Sequence, residues 1–339
     1  MSRVQAVRRL AAVRALPGVG DLLCAVPALR ALRAAHPGAR ITLVGLPSAR
    51  WFVPRYPGLV DDLLEVTGVP GLPECRADAG AARRFYARAR RRRFDLAVQL
   101  HGSGGTTNPL TTMLAARNQV TAHLPGHWVP PGRTILYPGE GPEVHRLLAV
   151  TRAAGCPDQG DRVELPTTPS ERARAAALVA AGPTGVPAPY ACLHPGASRP
   201  ANRWPAARFA AVGARLAAAG HRVVLTGTAP EAGMVAEVAA ALPGRCLDLC
   251  GRTGIGVLAA VFAGARLVVS NDTGAAHVAA GVGAPSVVVF PAEGDPQRWA
   301  PLDRTRHRAV TPGTRERWPP VEAVLDAAAG QLVGTAVAP

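Results

Sequence analysis

Lysine is absent from this 339-residue chain, and all 38 basic residues are arginine. Every task that lysine often performs must fall to arginine, histidine or a backbone N–H, and the bias points to a GC-rich coding sequence. Aromatic residues make up only 4% of the chain. With no recognisable nucleic-acid module, this scarcity argues against a nucleic-acid partner. No apolar run reaches the ~18 residues of a membrane span, because Arg266 breaks the most apolar stretch, Gly254 to Ser270. Arg8, Arg9 and Arg14 interrupt any apolar signal-peptide core, so a cytoplasmic location is expected. There is no D-x-D pair and no His/Asp/Glu cluster at metal-ligand spacing, so neither a metal nor another cofactor is expected. The six cysteines are scattered without zinc spacing and read as free thiols of a reducing compartment.

What is present suffices for a large core, since 48% of the residues are hydrophobic. At ~100–200 residues per domain the length suggests two domains. The net charge of +15 favours anionic partners. The densest basic run is Arg83, Arg84, Arg88 and Arg90 to Arg93. Its simplest reading is a solvated helix face. The functional alternative is attraction to an anionic acceptor or a peripheral contact with the inner membrane surface.

Strand and helix signals alternate from the start. Ala11–Leu16 reads as a weak strand interrupted by Arg14, and the glycine-rich turn Pro17-Gly18-Val19-Gly20-Asp21 follows. Leu22, Val26, Leu29 and Leu32 recur at helical spacing, with Pro27 kinking that helix or marking a first turn. Strands are expected at Ile41–Gly45, Val60–Val66 and Phe94–Leu100, and helices at Ala77–Arg93 and Glu143–Ala154. The stretch Gly155–Ser170 is rich in Pro, Gly, Asp and Thr and marks the junction between domains 1–165 and 166–339. A helix over Pro169–Ala181 and a linker-like segment, Gly182–Pro189, lead into a second α/β unit. There the strands are Tyr190–His194, Arg222–Thr226, Arg266–Ser270 and Pro285–Phe290. The helices between them are Pro205–Ala219, Glu231–Leu242, Ile255–Ala263 and Ala275–Val282. Two halves of this kind describe Rossmann-like domains with parallel sheets facing a central cleft. Ligands of such sheets bind at the carboxyl ends of the strands.

Three loops carry candidate chemistry. In the first, Gly18 and Gly20 begin a dinucleotide fingerprint, but Leu23 replaces its third glycine and no acid closes the next strand, so NAD chemistry is disfavoured. Asp21 is either an N-cap or a carboxylate placed to accept a proton. In the second, His194-Pro195-Gly196-Ala197-Ser198 lets backbone N–H groups approach a phosphate. Arg203, just before Trp204 and Pro205, suits bidentate pairing with a pyrophosphate; its bland reading is a surface arginine packed on Trp204. In the third, Asp272 or Thr273 caps a helix, and the N–H groups of Thr273, Gly274 and Ala275 form an anion site. His277, one turn on, leans back toward it.

Together these loops resemble glycosyltransferase family 9, whose best-known members are ADP-heptose:lipopolysaccharide heptosyltransferases. The match lies in Gly20-Asp21, in His194-Pro195-Gly196-Ala197 with Arg203-Trp204-Pro205, and in Asp272-Thr273-Gly274 with His277. The resemblance implies a GT-B fold and inversion at the anomeric carbon without a metal. It also implies an acceptor held mainly by the first domain and a nucleotide-diphosphate sugar held mainly by the second. Asp21 becomes the general base. Arg203, Thr273, Gly274 and His277 become diphosphate contacts, and Glu231 meets the nucleotide ribose. The family usually has lysine where this chain has Arg203, a change that keeps the charge but alters the geometry.

The acceptor is left open among a glycan, the lipopolysaccharide core, another lipid-linked molecule and a small molecule. On position alone, Arg50, Trp51 and His101 are acceptor-side candidates, with a structural role preferred for each. Two competing functions share these features. A nucleotide-sugar epimerase would form product from donor alone, and an inactive nucleotide-sugar-binding protein would retain binding without turnover.

Overall fold

The computed structural model describes residues 6–181, 189–244 and 246–334. All of the expected linker but Pro189 lies outside them. Two compact units meet in sequence between Arg162 and Val163, inside the Pro-, Gly- and Asp-rich stretch.

In unit 1 the strands are β1 (Arg9–Val13), β2 (Arg40–Gly45), β3 (Asp62–Glu65), β4 (Leu96–Gln99), β5 (Asn118–His123) and β6 (Arg133–Leu136). They pair in parallel in the order β3-β2-β1-β4-β5-β6. Leu10 to Val13 are wholly buried, as a strand covered on both faces requires. β1 therefore ends before Arg14, one residue short of the charge expected to interrupt it. The single helix expected after Asp21 is two, Val19–Cys24 and Val26–Ala35. Pro27 stands in the first turn of the second, where its missing N–H costs nothing.

Unit 2 repeats the plan with β7 (Tyr190–His194), β8 (Arg222–Leu225), β9 (Leu247–Asp248), β10 (Leu267–Asn271), β11 (Ser286–Val289) and β12 (His307–Val310). Again all pairs are parallel, in the order β12-β11-β10-β7-β8-β9. The helix Ala206–Ala218 turns Phe209, Val212 and Leu216 inward to a core containing Leu193, Leu225 and Val269. Trp204 is fully buried there, edge-on to Phe209 at 5.2 Å between ring centroids, and its Nε1 donates to the Pro319 carbonyl at 3.1 Å.

β5, β6, β9 and β12 were not expected from the sequence. β5 and β6 carry polar residues such as Asn118, Gln119, Arg133 and Thr134 that mask strand patterning, and β9 spans two residues. In each sheet the chain direction of strand addition reverses between two neighbours, β1 and β4 or β7 and β10. The loops leaving those strands at their carboxyl ends are where ligands bind in doubly wound sheets.

Candidate active site

At the carboxyl end of β1 the chain enters a buried charge network. The Arg14 side chain is wholly inaccessible, so its charge must be met from within. Its Nη1 donates to the Leu100 carbonyl at 2.7 Å and to Glu143 Oε1 at 2.9 Å. Nε donates to the Asp21 carbonyl at 3.1 Å, and Nη2 lies 3.4 Å from Asp21 Oδ1. Tyr137 donates its hydroxyl to Glu143 Oε2 at 3.3 Å. Burial opposes the charge on Arg14, yet Glu143 and Asp21 outweigh it and hold the guanidinium above its ordinary pKa.

Asp21 is not the N-cap that one reading expected. Gly18 holds that position, and Asp21 is the third residue of the first turn. Its carboxylate folds back against Gly18 so closely that a Cβ there would collide with Oδ2. Gly20 is buried within the same turn. Asp21 itself is partly exposed, with 22% of its side chain accessible, and is thus oriented by Arg14 while open to a reacting group.

The acceptor-side candidates have structural accounts. His101 Nδ1 accepts from the Ala15 amide at 3.1 Å, so Nε2 carries the proton. Burial, and then Arg14, push its pKa down to about 3 against the opposing pull of Glu143. Arg50 forms a forked pair with Glu65, at 2.5 and 2.9 Å. Trp51 packs edge-on to Phe52 at 5.5 Å.

In unit 2 the sequence candidates gather at the carboxyl ends of β7, β8 and β10. The organiser is Asn271, the last residue of β10 and fully buried. Its Nδ2 donates to the Pro195 carbonyl at 2.6 Å and the Gly196 carbonyl at 3.4 Å, while Oδ1 accepts from the Trp204 amide at 2.9 Å. One side chain thus ties the loop after β7, and the residue beside Arg203, to the start of the Asp272–Gly274 loop. Arg203 turns its Nε to the Ala197 carbonyl at 2.9 Å rather than stacking on Trp204. Its two terminal nitrogens make no hydrogen bond among the described residues.

Thr273 is the N-cap of the helix Gly274–Gly281, extended at φ −157° and ψ 177°, with no side-chain cap. The amides of Thr273, Gly274 and Ala275 have no acceptor among the described residues. Such a helix start favours an anion through both free donors and the helix dipole. Asp272, just before it, makes no hydrogen bond through its carboxylate among the described residues. Its pKa is raised to about 6, chiefly by burial and then by Asp295, with Arg199 opposing. His277 is buried one turn into the helix, edge-on to Trp299 at 6.4 Å between centroids.

Glu231 ends a short turn of helix and closes a capping box: its Oε2 accepts from the amide and hydroxyl of Thr228, each at 2.7 Å. It also lies against Gly196, where any Cβ would meet the carboxylate. His194 Nδ1 pairs with Thr226 Oγ1 at 3.0 Å; burial lowers its pKa against the pull of Glu231. Among the described residues, no three His, Cys, Asp or Glu side chains gather as metal ligands.

The structure thus brings Arg203, Glu231, Asp272, Thr273, Gly274 and His277 to one end of unit 2, and Gly20 and Asp21 to the corresponding end of unit 1. Three residues of this framework were not singled out from sequence for a site: Arg14, Glu143 and Asn271. Arg14 had a usable signal, because a lone charge closing an apolar strand of a buried sheet requires a partner.

Comparison with solved structures establishes the fold class. The glycosyltransferase family 9 structure from Veillonella parvula matches with a TM-score of 0.80 at 20% identity, over 96% of this chain and 98% of that one. The E. coli ADP-heptose lipopolysaccharide heptosyltransferase II matches with a TM-score of 0.75 at 22% identity, over 97% of this chain and 100% of that one. The fold is GT-B: two Rossmann-like units in one chain. In sequence, the lipooligosaccharide heptosyltransferase 2 of Haemophilus influenzae is 34% identical over 95 residues, 27% of this chain. The chain spans only 28% of that relative in this match. The profile of glycosyltransferase family 9 (heptosyltransferase) matches residues 83–317, and the chain belongs to that family.

Proposed function

We propose that the protein is an inverting, metal-independent glycosyltransferase that moves a heptose or related sugar from an ADP-sugar to a hydroxyl of the lipopolysaccharide core or a related glycan. Unit 2 holds the donor and unit 1 the acceptor. The observation that carries the donor half is the conjunction of three amides at Thr273, Gly274 and Ala275 with the unengaged end of Arg203, joined through Asn271. Backbone donors and a guanidinium fork are the groups that recognise a diphosphate. A solved neighbour, an E. coli heptosyltransferase of TM-score 0.67, was crystallised with ADP, which supports ADP as the donor nucleotide.

In the reaction the acceptor oxygen bonds to the anomeric carbon as the bond from that carbon to the diphosphate oxygen breaks. Asp21 takes the hydroxyl proton, a service worth ~10²–10⁴-fold. The electron pair of the broken bond leaves on the diphosphate, where Arg203, His277 and the helix start meet the growing charge. Glu231 contacts the ribose, and Asp272 belongs to the loop that binds the donor. A lipid-borne acceptor would bring the protein to the inner membrane surface as a peripheral partner from the cytoplasm. No helix among the described residues is long and apolar enough to cross a membrane.

The test is calorimetric titration with ADP beside a transfer assay from ADP-heptose. Arg203→Ala should weaken ADP binding at least tenfold, and Asp21→Asn should retain ADP binding while transfer falls by 10²-fold or more. Undiminished transfer by Asp21→Asn would remove the base assignment. Altered sugar formed from donor alone would favour an epimerase.

A further inference from the structure

Unit 1 has a second concentration of chemistry at the opposite ends of its strands. A cavity of about 230 Å³ is lined by Arg9, Arg40, Thr42, Arg91, Arg92 and Phe94. Arg9 opens β1 and Arg40 opens β2, and the two are direct partners in the parallel register. Like charges placed opposite each other in neighbouring strands are destabilising. Arg91 ends the helix Ala79–Arg91, and Arg92 follows it.

The local anions do not balance these four guanidinium groups. Asp62 is paired with Arg92 and lies 3.6 Å from Arg40. Asp95 accepts from the Arg8 and Arg9 amides, and its charge is shared between Arg117 at 3.6 Å and Arg9. The Arg9 and Arg91 side chains make no hydrogen bond or ion pair among the described residues. The helix end that Arg91 and Arg92 complement carries roughly half a negative charge. With Asp62 counted in full and Asp95 shared between Arg117 and Arg9, the pocket keeps a surplus of about two positive charges. Neighbouring arginines at Arg90 and Arg93 leave that surplus without further anions in the same run.

We propose that this pocket is a binding site for a phosphomonoester dianion, separate from the donor and base sites. A dianion matches the surplus and relieves the Arg9–Arg40 repulsion. Guanidinium forks pair bidentately with phosphate oxygens. Thr42 Oγ1 accepts from Arg92 at 3.2 Å and so retains its own proton to donate. Phe94, 1% exposed, gives the pocket an apolar floor that keeps the charges from being fully solvated. The volume lies below the roughly 300–1,000 Å³ of sites that enclose drug-sized ligands. It admits the phosphate group and leaves the carrier outside. Four residue steps of β1 run from Arg9 to Val13 at its far end, so the pocket lies at least about 13 Å from the Asp21 end of the sheet.

Two sources carry this group, a free phosphate and a lipid with a phosphomonoester headgroup. The experiment compares the wild type with Arg9→Gln/Arg91→Gln, two exposed positions whose side chains make no hydrogen bond or ion pair among the described residues. Inorganic phosphate is titrated by calorimetry at fixed ionic strength. In parallel, protein is sedimented with vesicles bearing phosphatidic acid or, at equal surface charge, phosphatidylglycerol. The expected result is phosphate binding that weakens at least tenfold in the double variant with ADP affinity unchanged. Stronger sedimentation with phosphatidic acid, lost in the variant, assigns the group to a lipid; equal sedimentation on both vesicles assigns it to a soluble ligand. The proposal is overturned if the wild type binds no phosphate or if the variant binds it equally. It is also overturned if ADP affinity falls in step, since a whole-protein field would then account for the binding. Arg9→Lys/Arg91→Lys should recover part of the affinity.

Discussion

Replacing Arg14 by methionine takes from Glu143, whose side chain is 1% exposed, the guanidinium that pairs with it in the interior. Removing one member of a buried ion pair costs about 3–5 kcal/mol, because the remaining charge keeps its desolvation penalty and loses its attraction. The Leu100 carbonyl also loses the 2.7 Å hydrogen bond from Nη1, and Asp21 loses both of its contacts with the guanidinium. Arg14→Met should therefore lower stability by about 3–5 kcal/mol. The measure is denaturant unfolding, with hydrogen exchange of β1 and β4 amides to localise the loss to unit 1. Adding Glu143→Gln removes that buried charge and should restore at least half of the loss. Arg14→Lys should fold, yet an ammonium cannot fork among Asp21, Leu100 and Glu143 at once. In that variant kcat should fall while the donor KM is unchanged. A loss below about 1 kcal/mol for Arg14→Met would refute the reasoning, and so would a penalty from Glu143→Gln that adds to that loss.

Three further outcomes are expected. Asn271→Ala leaves the buried Trp204 amide and Pro195 carbonyl unpaired, at ~1–3 kcal/mol for each stranded group, so thermal unfolding should come earlier and ADP binding should weaken at least tenfold. Asp272, with a pKa raised to about 6, ionises next to the helix start proposed to receive the diphosphate. ADP affinity should fall as pH rises through 6, and Asp272→Asn should flatten that dependence in calorimetric titrations. Burial lowers the pKa of His101 to about 3 and of His307 to about 4, and it depresses His194 in the same direction. Because the unfolded chain binds protons at these groups below about pH 6.5 and the folded chain does not, their contribution is complete above that pH. It is lost as pH falls toward 4. Equilibrium unfolding at pH 7 and pH 4.5 checks this, and NMR should show the His101 ring neutral throughout.

Much of the fold was legible because the cues are local. Apolar strands of a doubly covered sheet appear as continuous runs, and Tyr190–His194 and Ile255–Ala263 were read to the residue. Most other ends differ by a residue or two, but the first strand runs Arg9–Val13 rather than Ala11–Leu16, and the helix after Asp21 is divided in two. The strands that escaped notice carry polar residues or are very short, as at Asn118–His123 and Leu247–Asp248. The three polar loops were legible for the same local reason: each places small or charged residues at the end of an apolar strand.

By itself the sequence determined the alternation of strand and helix, the family, and the residues that end each candidate loop. Spacing along a few turns of chain encodes all of these. It could not determine what those residues do to one another. Arg14 meets partners 7, 86 and 129 positions away, and Asn271 joins groups 67 to 76 positions distant. Arg9 became the neighbour of Arg40 only when β1 and β2 paired. Such contacts depend on the strand order 3-2-1-4-5-6 adopted by each sheet, which brings carboxyl ends together at the reversal and amino ends together opposite. A charge that reads as an interruption in one dimension is, once the sheet closes around it, a buried cation that must find its anions.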